Sequence, residues 1–310
     1  MKAVFMGTPG IAVPSLEALI EDKDIEVVGV FTQPDRQKGR GKKISMPIIK
    51  EKALEYDIEV YQPQKVKEDK YVKILKDLNP DIIIVTAYGQ ILSKEILDIP
   101  KLGCINVHAS LLPKLRGAAP INFAIINGHK KTGITTMYMD VGLDTGDMIL
   151  KEEIIIDEYE TAGTLHDKML DVSKNILKDT LKLVKSGKVK RIKQNDDDAT
   201  YAPIMDKSLG NIDWSKTCLE IKNLINGVNP WPCAYTLYKG EKVKIKKIKM
   251  TEINSQKEEG LIEKVEQEGI YVNTKDKLLL IEEIQFPNKK MMPVKEYIKG
   301  NDIEIVKLGE

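Results

Sequence analysis

The chain holds no run of about 18 apolar residues, so no segment is expected to cross a bilayer. Cysteine is sparse. Cys104, Cys218 and Cys233 are odd in number, far apart and without a CxxC spacing. That excludes a disulfide scaffold and a structural zinc site, and it points to a reducing, cytoplasmic setting. Histidine is equally rare (His108, His129, His166), and with no His/Cys cluster no metal cofactor is expected. The opening Met1-Lys2-Ala3-Val4-Phe5-Met6-Gly7 reaches glycine and proline too early for a secretory hydrophobic region and reads as a buried strand. The Gly7-Thr8-Pro9-Gly10 that ends it lacks the GxGxxG spacing, which argues against a dinucleotide-dependent dehydrogenase. Arginine is nearly absent, with four against 44 lysines, and the net charge is only +1. Any polyanion contact must therefore come from local patches.

What remains is ordinary globular composition, 42% apolar and 31% charged over 310 residues, which is enough for two domains. In the first half, residues 2–6, 26–31, 81–86 and 103–108 are short, β-branched-rich and almost continuously apolar, as suits strands buried on both faces of a parallel sheet. Residues 14–21, 47–56 and 66–78 between them carry helical spacing, and Asn79-Pro80 stops the last. This alternation predicts a doubly wound, Rossmann-like α/β domain over 1–189, ending in a helix over about 161–185. The stretch 190–206, basic and then acidic without apolar period, reads as a linker. From 207 to 310 the spacing predicts one helix over 215–226, closed by Gly227. Short alternating strands then follow over 235–237, 242–249, 260–265, 269–273 and 278–285, which suggests a small barrel.

Asn106-Val107-His108 closes one apolar run. Residues two apart share a strand face, so the amide and the imidazole project together at the carboxyl end of a parallel strand, where open α/β sheets bind ligands. An amide donor beside a proton-transferring imidazole suits acyl-type transfer. The acidic loop Asp140-Val141-Gly142-Leu143-Asp144-Thr145-Gly146-Asp147 could supply a carboxylate to orient that imidazole, and spacing does not say which of its three acids does so. Lys114 and Arg116, just after His108, are placed to meet an anion. Two surfaces are basic. Five cations (Arg36, Lys38, Arg40, Lys42, Lys43) follow Asp35 in one glycine-containing loop. In the second half Lys242, Lys244 and Lys246 alternate with apolar residues and would line one strand face.

Several segments in this order carry a resemblance: Val30-Phe31-Thr32-Gln33-Pro34-Asp35-Arg36, Ala87-Tyr88-Gly89-Gln90-Ile91-Leu92, Ile105-Asn106-Val107-His108-Ala109-Ser110-Leu111-Leu112-Pro113, the Asp140 to Asp147 loop, Gly210-Asn211-Ile212-Asp213-Trp214 and Asn229-Pro230-Trp231-Pro232. Together they resemble the folate-dependent formyltransferase family, most closely its methionyl-tRNA branch, over essentially the whole chain. The resemblance implies formyl transfer from 10-formyltetrahydrofolate, as co-substrate, to the α-amine of initiator methionyl-tRNA, in a cytoplasmic monomer. It implies Asn106, His108 and Asp144 as the catalytic group. It implies a folate pocket walled by Ala87, Tyr88, Gly89, Gln90, Ile91, Leu92, Ser110, Leu111, Leu112, Pro113, Val141, Gly142 and Leu143. It also implies tRNA contacts from Arg36, Lys38, Arg40, Lys42 and Lys43, and from Lys244 and Lys246 on an OB-like C-terminal barrel. The chain departs from the family pattern at Gly10-Ile11, at Leu115, usually aromatic, at Asn226, usually arginine, and at Cys233, usually glycine. A formyltransferase acting on a small amine would share the catalytic trio but would not need the 32–43 insertion, and a noncatalytic RNA-binding protein would not need the trio at all.

Overall fold

The computed structural model describes residues 1–38 and 43–310. It divides into two compact units. One holds Met1–Pro120, Thr132–Ile155 and His166–Ala202, and the other holds Ile121–Lys131, Ile156–Leu165 and Pro203–Glu310.

The first unit is built on a seven-stranded sheet. Its order across the sheet is Met148–Ile155, Lys131–Tyr138, Cys104–His108, Ile82–Thr86, Lys2–Gly7, Glu26–Phe31 and Val60–Tyr61. The last five run parallel, and Lys131–Tyr138 pairs antiparallel with Cys104–His108. The mostly parallel sheet with helices matches the expected class. The two innermost apolar runs, Ile82–Thr86 and Cys104–His108, are buried at every position. Val4, Met6, Phe31, Leu75 and Ile83, all fully buried, lie in one core cluster between sheet and helices, and each such side chain contributes about 1.5–3 kcal/mol by burial. The Asp69–Leu78 helix ends where Asn79 takes a left-handed φ of 45° just before Pro80, the stop that the sequence signals.

The chain starts in the middle of the sheet, builds outward through Glu26–Phe31, and returns to the other side with Ile82–Thr86. The reversal lies between Lys2–Gly7 and Ile82–Thr86, and the loops at their carboxyl ends are where such sheets bind ligands. Those loops are cross-tied, since Thr8 Oγ1 and Gln33 Nε2 both donate to the Tyr88 carbonyl, at 3.0 and 3.2 Å.

Three features differ from the sequence reading. The strands Lys131–Tyr138 and Met148–Ile155 were not expected, because threonines, Gly133 and charged residues interrupt their apolar pattern. Gly133 is required there, as a Cβ would lie 1.9 Å from the Glu152 carbonyl oxygen. The stretch 190–206 is paired into the first unit as far as Ala202. Ile192 exchanges both backbone hydrogen bonds with Met148 at 2.8 and 2.9 Å, and Tyr201–Ala202 pairs in parallel with Arg116–Gly117. Arg116 meets no anion from solution: it is 1% exposed and paired within the protein.

In the second unit, Thr217 and Glu220 form a reciprocal capping box that starts the Cys218–Gly227 helix. An antiparallel sheet follows in the order Ala234–Tyr238, Glu241–Asn254, Lys277–Gln285, Gly269–Asn273, Ile262–Glu266, with Met292–Pro293 beside Lys277–Gln285. Trp214, Ile221, Ile225, Ile245, Val272 and Ile281 are buried together, and Trp214 Nε1 donates to Thr236 Oγ1 at 2.9 Å. Cys233 has a left-handed φ of 73°, a conformation that glycine adopts without strain.

Candidate active site

The Cys104–His108 strand supplies the first two groups. Its period of two puts Asn106 and His108 on one face, and both are nearly buried, at 9% and 6% exposure. The acidic loop brings a carboxylate between them. Asn106 Nδ2 donates to Asp144 Oδ1 at 3.3 Å, and His108 Nδ1 lies 3.7 Å from Asp144 Oδ2. Of the loop's acids, left open in the sequence, geometry sets Asp144 apart from Asp140. Asp140 Oδ1 accepts from Gly142 N at 3.0 Å and from Thr145 Oγ1 at 2.6 Å, so it closes the loop on itself. Asp144, with φ of 55°, is the acid turned toward the strand end.

The imidazole is held from both sides. Its Nε2 donates to the Leu115 carbonyl at 3.0 Å. A carbonyl only accepts, so that bond keeps a proton on Nε2. Asp144 Oδ2 also accepts the Gly117 N–H at 2.8 Å, which fixes the carboxylate's direction. Below these groups lies a buried polar layer. Gln194 Nε2 donates to the carbonyls of Asp144 and Gly146, both at 2.8 Å. Its Oε1 accepts from Arg116 Nε and Nη2 at 3.1 and 2.9 Å, and Arg116 Nη2 reaches Asp196 at 2.8 Å. Gln194 escaped the sequence reading because a single glutamine beside Asn195-Asp196-Asp197-Asp198 carries no periodic or motif signal.

A nearly dry amide, imidazole and carboxylate around one point can offer donors to a carbonyl oxygen and receive a proton. The comparisons point the same way. A family model described as formyl transferase matches residues 1–181, and one for the formyl transferase C-terminal domain matches 204–302. The methionyl-tRNA formyltransferase of Clostridioides difficile (strain 630) is 60% identical over 98% of both chains, and that of Clostridium novyi (strain NT) is 55% identical over 98% of both. The chain belongs to the methionyl-tRNA formyltransferase family. Among solved structures, the sugar 3N-formyl transferase WlaRD shares the fold, with a TM-score of 0.67 at 22% identity over 94% of this chain and 99% of that one.

The residues expected to wall a folate pocket divide by which way they face. Ala87, Gly89 and Ile91 are exposed, whereas Tyr88 and Leu92 belong to the core cluster, where burial pushes the Tyr88 phenol well up from its ordinary value. Gln90 is spent on the backbone, accepting from Val66 N at 2.7 Å and donating to the Pro63 carbonyl at 2.9 Å. In the Ser110 to Pro113 turn, Ser110 and Leu112 are fully buried. Ser110 Oγ donates to the Lys114 carbonyl, and Lys151 Nζ donates to the Leu112 carbonyl at 2.5 Å, its pKa lowered by burial. Leu111 and Pro113 are half-buried. Val141, Gly142 and Leu143 are exposed on the loop that carries Asp144.

Of the basic-loop residues, Arg36 is exposed and Arg36–Lys38 pairs with Lys43–Ser45 as a hairpin. Lys38 and Lys43 are described through their backbone, and Arg40 and Lys42 lie outside the described residues. The base of this hairpin is tied down. Gln62 Nε2 donates to Asp35 at 2.7 Å and Lys50 reaches it at 2.8 Å, which together hold the Asp35 carboxyl below its ordinary pKa. In the second unit, Lys242, Lys244 and Lys246 are exposed with Val243 and Ile245 buried between them, as the alternation predicts, until a bulge near Lys247 breaks the pattern.

Proposed function

We propose that Asn106, His108 and Asp144 transfer the formyl group of 10-formyltetrahydrofolate to the α-amino group of methionine carried by its initiator tRNA, in a cytosolic, monomeric enzyme. The observation that carries this assignment is the convergence of Asn106 Nδ2 and His108 Nδ1 on the Asp144 carboxylate, at 3.3 and 3.7 Å. The folate supplies an activated formyl carbon. Its pocket fits the exposed apolar side chains of Ile91, Val141 and Leu143, at 82%, 70% and 57% exposure. Ile91 follows the Ile82–Thr86 strand, Val141 and Leu143 sit on the loop that carries Asp144, and the three would cover a flat apolar ring system.

Asn106 donates to the formyl oxygen as negative charge builds there. His108, held with a proton on Nε2, presents Nδ1 to the same centre, and Asp144 stabilises the imidazolium that forms when the attacking amine gives up its proton. That proton passes to N10 as the formyl C–N10 bond breaks and tetrahydrofolate leaves. Removing one donor of the Asn106 kind costs about 10²–10³ in rate. The tRNA is held by charge, through the 36–43 loop and the Lys244 and Lys246 face. The loop insertion favours this substrate over a small amine. Purified protein with 10-formyltetrahydrofolate should formylate methionyl-tRNA, initiator in preference to elongator. Formylation of a small amine such as a nucleotide sugar, with none of methionyl-tRNA, would overturn the assignment.

A further inference from the structure

The two residues that face the ring nitrogens of His108 have left-handed backbones: Leu115 at φ 59°, whose carbonyl accepts from Nε2, and Asp144 at φ 55°, whose carboxylate faces Nδ1. Such conformations are costly for a branched residue like leucine, and they persist where the surroundings over-determine them. Here one short segment restrains both. Gln194 holds Asp144 by its carbonyl at 2.8 Å. Thr200 Oγ1 accepts from Leu115 N at 2.9 Å, and the Thr200 carbonyl accepts from Arg116 N at 2.8 Å. Gln194 is 5% exposed and is the only buried residue between 191 and 198.

We infer that Gln194, locked by the buried Arg116 guanidinium, is a positioning residue for formyl transfer: its amide clamps the Asp144 loop to the Leu115 to Gly117 turn and so fixes the groups that face the two ring nitrogens of His108. The chemistry of the amide makes the assignment specific. Nε2 is a donor to two carbonyls and Oε1 an acceptor from two guanidinium N–H groups, so all four available bonds are made. The chain neighbours of Arg116 meet the same centre, since the Leu115 carbonyl accepts from Nε2 of the imidazole and Gly117 N donates to Asp144 Oδ2. The segment that looks like an interdomain linker is, on this reading, the back wall of the catalytic centre.

The inference rests on the catalytic reading of His108, and its test separates the two. Gln194→Glu keeps an acceptor for Arg116 but turns a carboxylate toward the carbonyls of Asp144 and Gly146. It should lower kcat about 10- to 100-fold, the cost of misplacing a reacting group by about 1 Å. KM for methionyl-tRNA and for the folate should stay within about twofold. The His108 Nε2–H resonance, assigned by its loss in His108→Gln, should shift or broaden. Asp197→Asn, in the exposed part of the same segment, should behave as wild type. Should Gln194→Glu fail to fold, Arg116→Ala decides: millimolar methylguanidinium should restore its kcat while leaving wild type unchanged. If His108→Gln is inactive while Gln194→Glu turns over at the wild-type rate, or if methylguanidinium gives no recovery, the clamp is overturned and the catalytic reading stands. Full turnover in His108→Gln would instead overturn the catalytic reading, and the clamp with it.

Discussion

His108 Nε2 donates to the Leu115 carbonyl at 3.0 Å, and that bond determines which ring nitrogen is left to face Asp144 at 3.7 Å. The proton cannot move to Nδ1 alone without setting two acceptors, ring nitrogen and carbonyl oxygen, against each other. On the proposed mechanism, Nδ1 is therefore the nitrogen that would receive the proton of the amine, with the carboxylate beside it. Leu115 contributes its contact with Nε2 through its backbone carbonyl, so the contact does not depend on the identity of the side chain.

Replacing Asp144 with asparagine tests that role. The amide can occupy the same volume and still accept one bond, but it carries no charge to balance an imidazolium. It also has one acceptor oxygen to share between Asn106 and Gly117. Steady-state kinetics of Asp144→Asn should show kcat reduced by about 10²-fold or more, in line with the usual size of acid–base contributions. Folate affinity, measured by fluorescence or calorimetry, should change little. Equal loss of turnover and folate affinity in a folded variant would assign Asp144 to binding instead.

Gly146 offers a steric route to the same site. A Cβ there would lie 1.8 Å from the Tyr138 carbonyl oxygen, a backbone atom of a sheet strand that cannot readily yield. Gly146→Ala must therefore shift the loop, and with it the Gly146 carbonyl that Gln194 holds and the nearby Asp144. The expected outcome is a folded protein with kcat lowered about 10²-fold, the size associated with an error of about 1 Å in a reacting group. A crystal structure of the variant with an unmoved Asp144 and normal kinetics would contradict it.

How much of this was legible beforehand follows from what each feature depends on. Cys104–His108 and Ile82–Thr86 read correctly because burial on both faces writes itself as a continuous apolar run. Asn106 and His108 read as a pair because a strand's period is two. The Thr217 to Gly227 helix was visible in its spacing, with a start a few residues late because the capping box, not the periodicity, decides the boundary. The strands Lys131–Tyr138 and Met148–Ile155 lie at one side of the sheet, where alternation is diluted by threonine and charge. The tie between Gln194 and Asp144 joins residues 50 apart through one side-chain amide, and no local pattern encodes it. The choice of Asp144 over Asp140 likewise depended on which acid the loop consumes for its own turn.

The exposed lysines of the Glu241–Asn254 strand should act through phosphate charge. Each neutralised phosphate on a folded RNA adds about 0.7–0.9 to the slope of log affinity against log salt. Lys244→Gln with Lys246→Gln should therefore lower that slope by about 1.4–1.8 and raise KM for methionyl-tRNA, with folate binding unaffected. Because both side chains point away from the buried Val243 and Ile245, thermal stability should hold. A salt slope equal to wild type would mean these two positions are solvated surface.

Cys104 provides a pH prediction in the strand that carries the site. Burial pushes its thiol up from an ordinary value near 9 to about 12, and the side chain is 2% exposed. In this range the folded state binds the proton more tightly than the unfolded chain does, so unfolding is promoted as pH rises. The stabilising effect is complete below about pH 9 and is lost progressively as pH climbs toward about 12. Chemical denaturation of wild type and Cys104→Ala at pH 7.5, 9 and 10.5 should show the wild type losing more stability across the series, even though the variant starts lower for want of the buried sulfur. Iodoacetamide should label Cys104 at pH 8.5 at a small fraction of the rate seen in the unfolded protein, because both access and thiolate formation are suppressed. Parallel stability curves for the two proteins, or prompt labelling of Cys104 in the native state, would show that the strand beneath Asn106 and His108 opens to water far more readily than its packing implies.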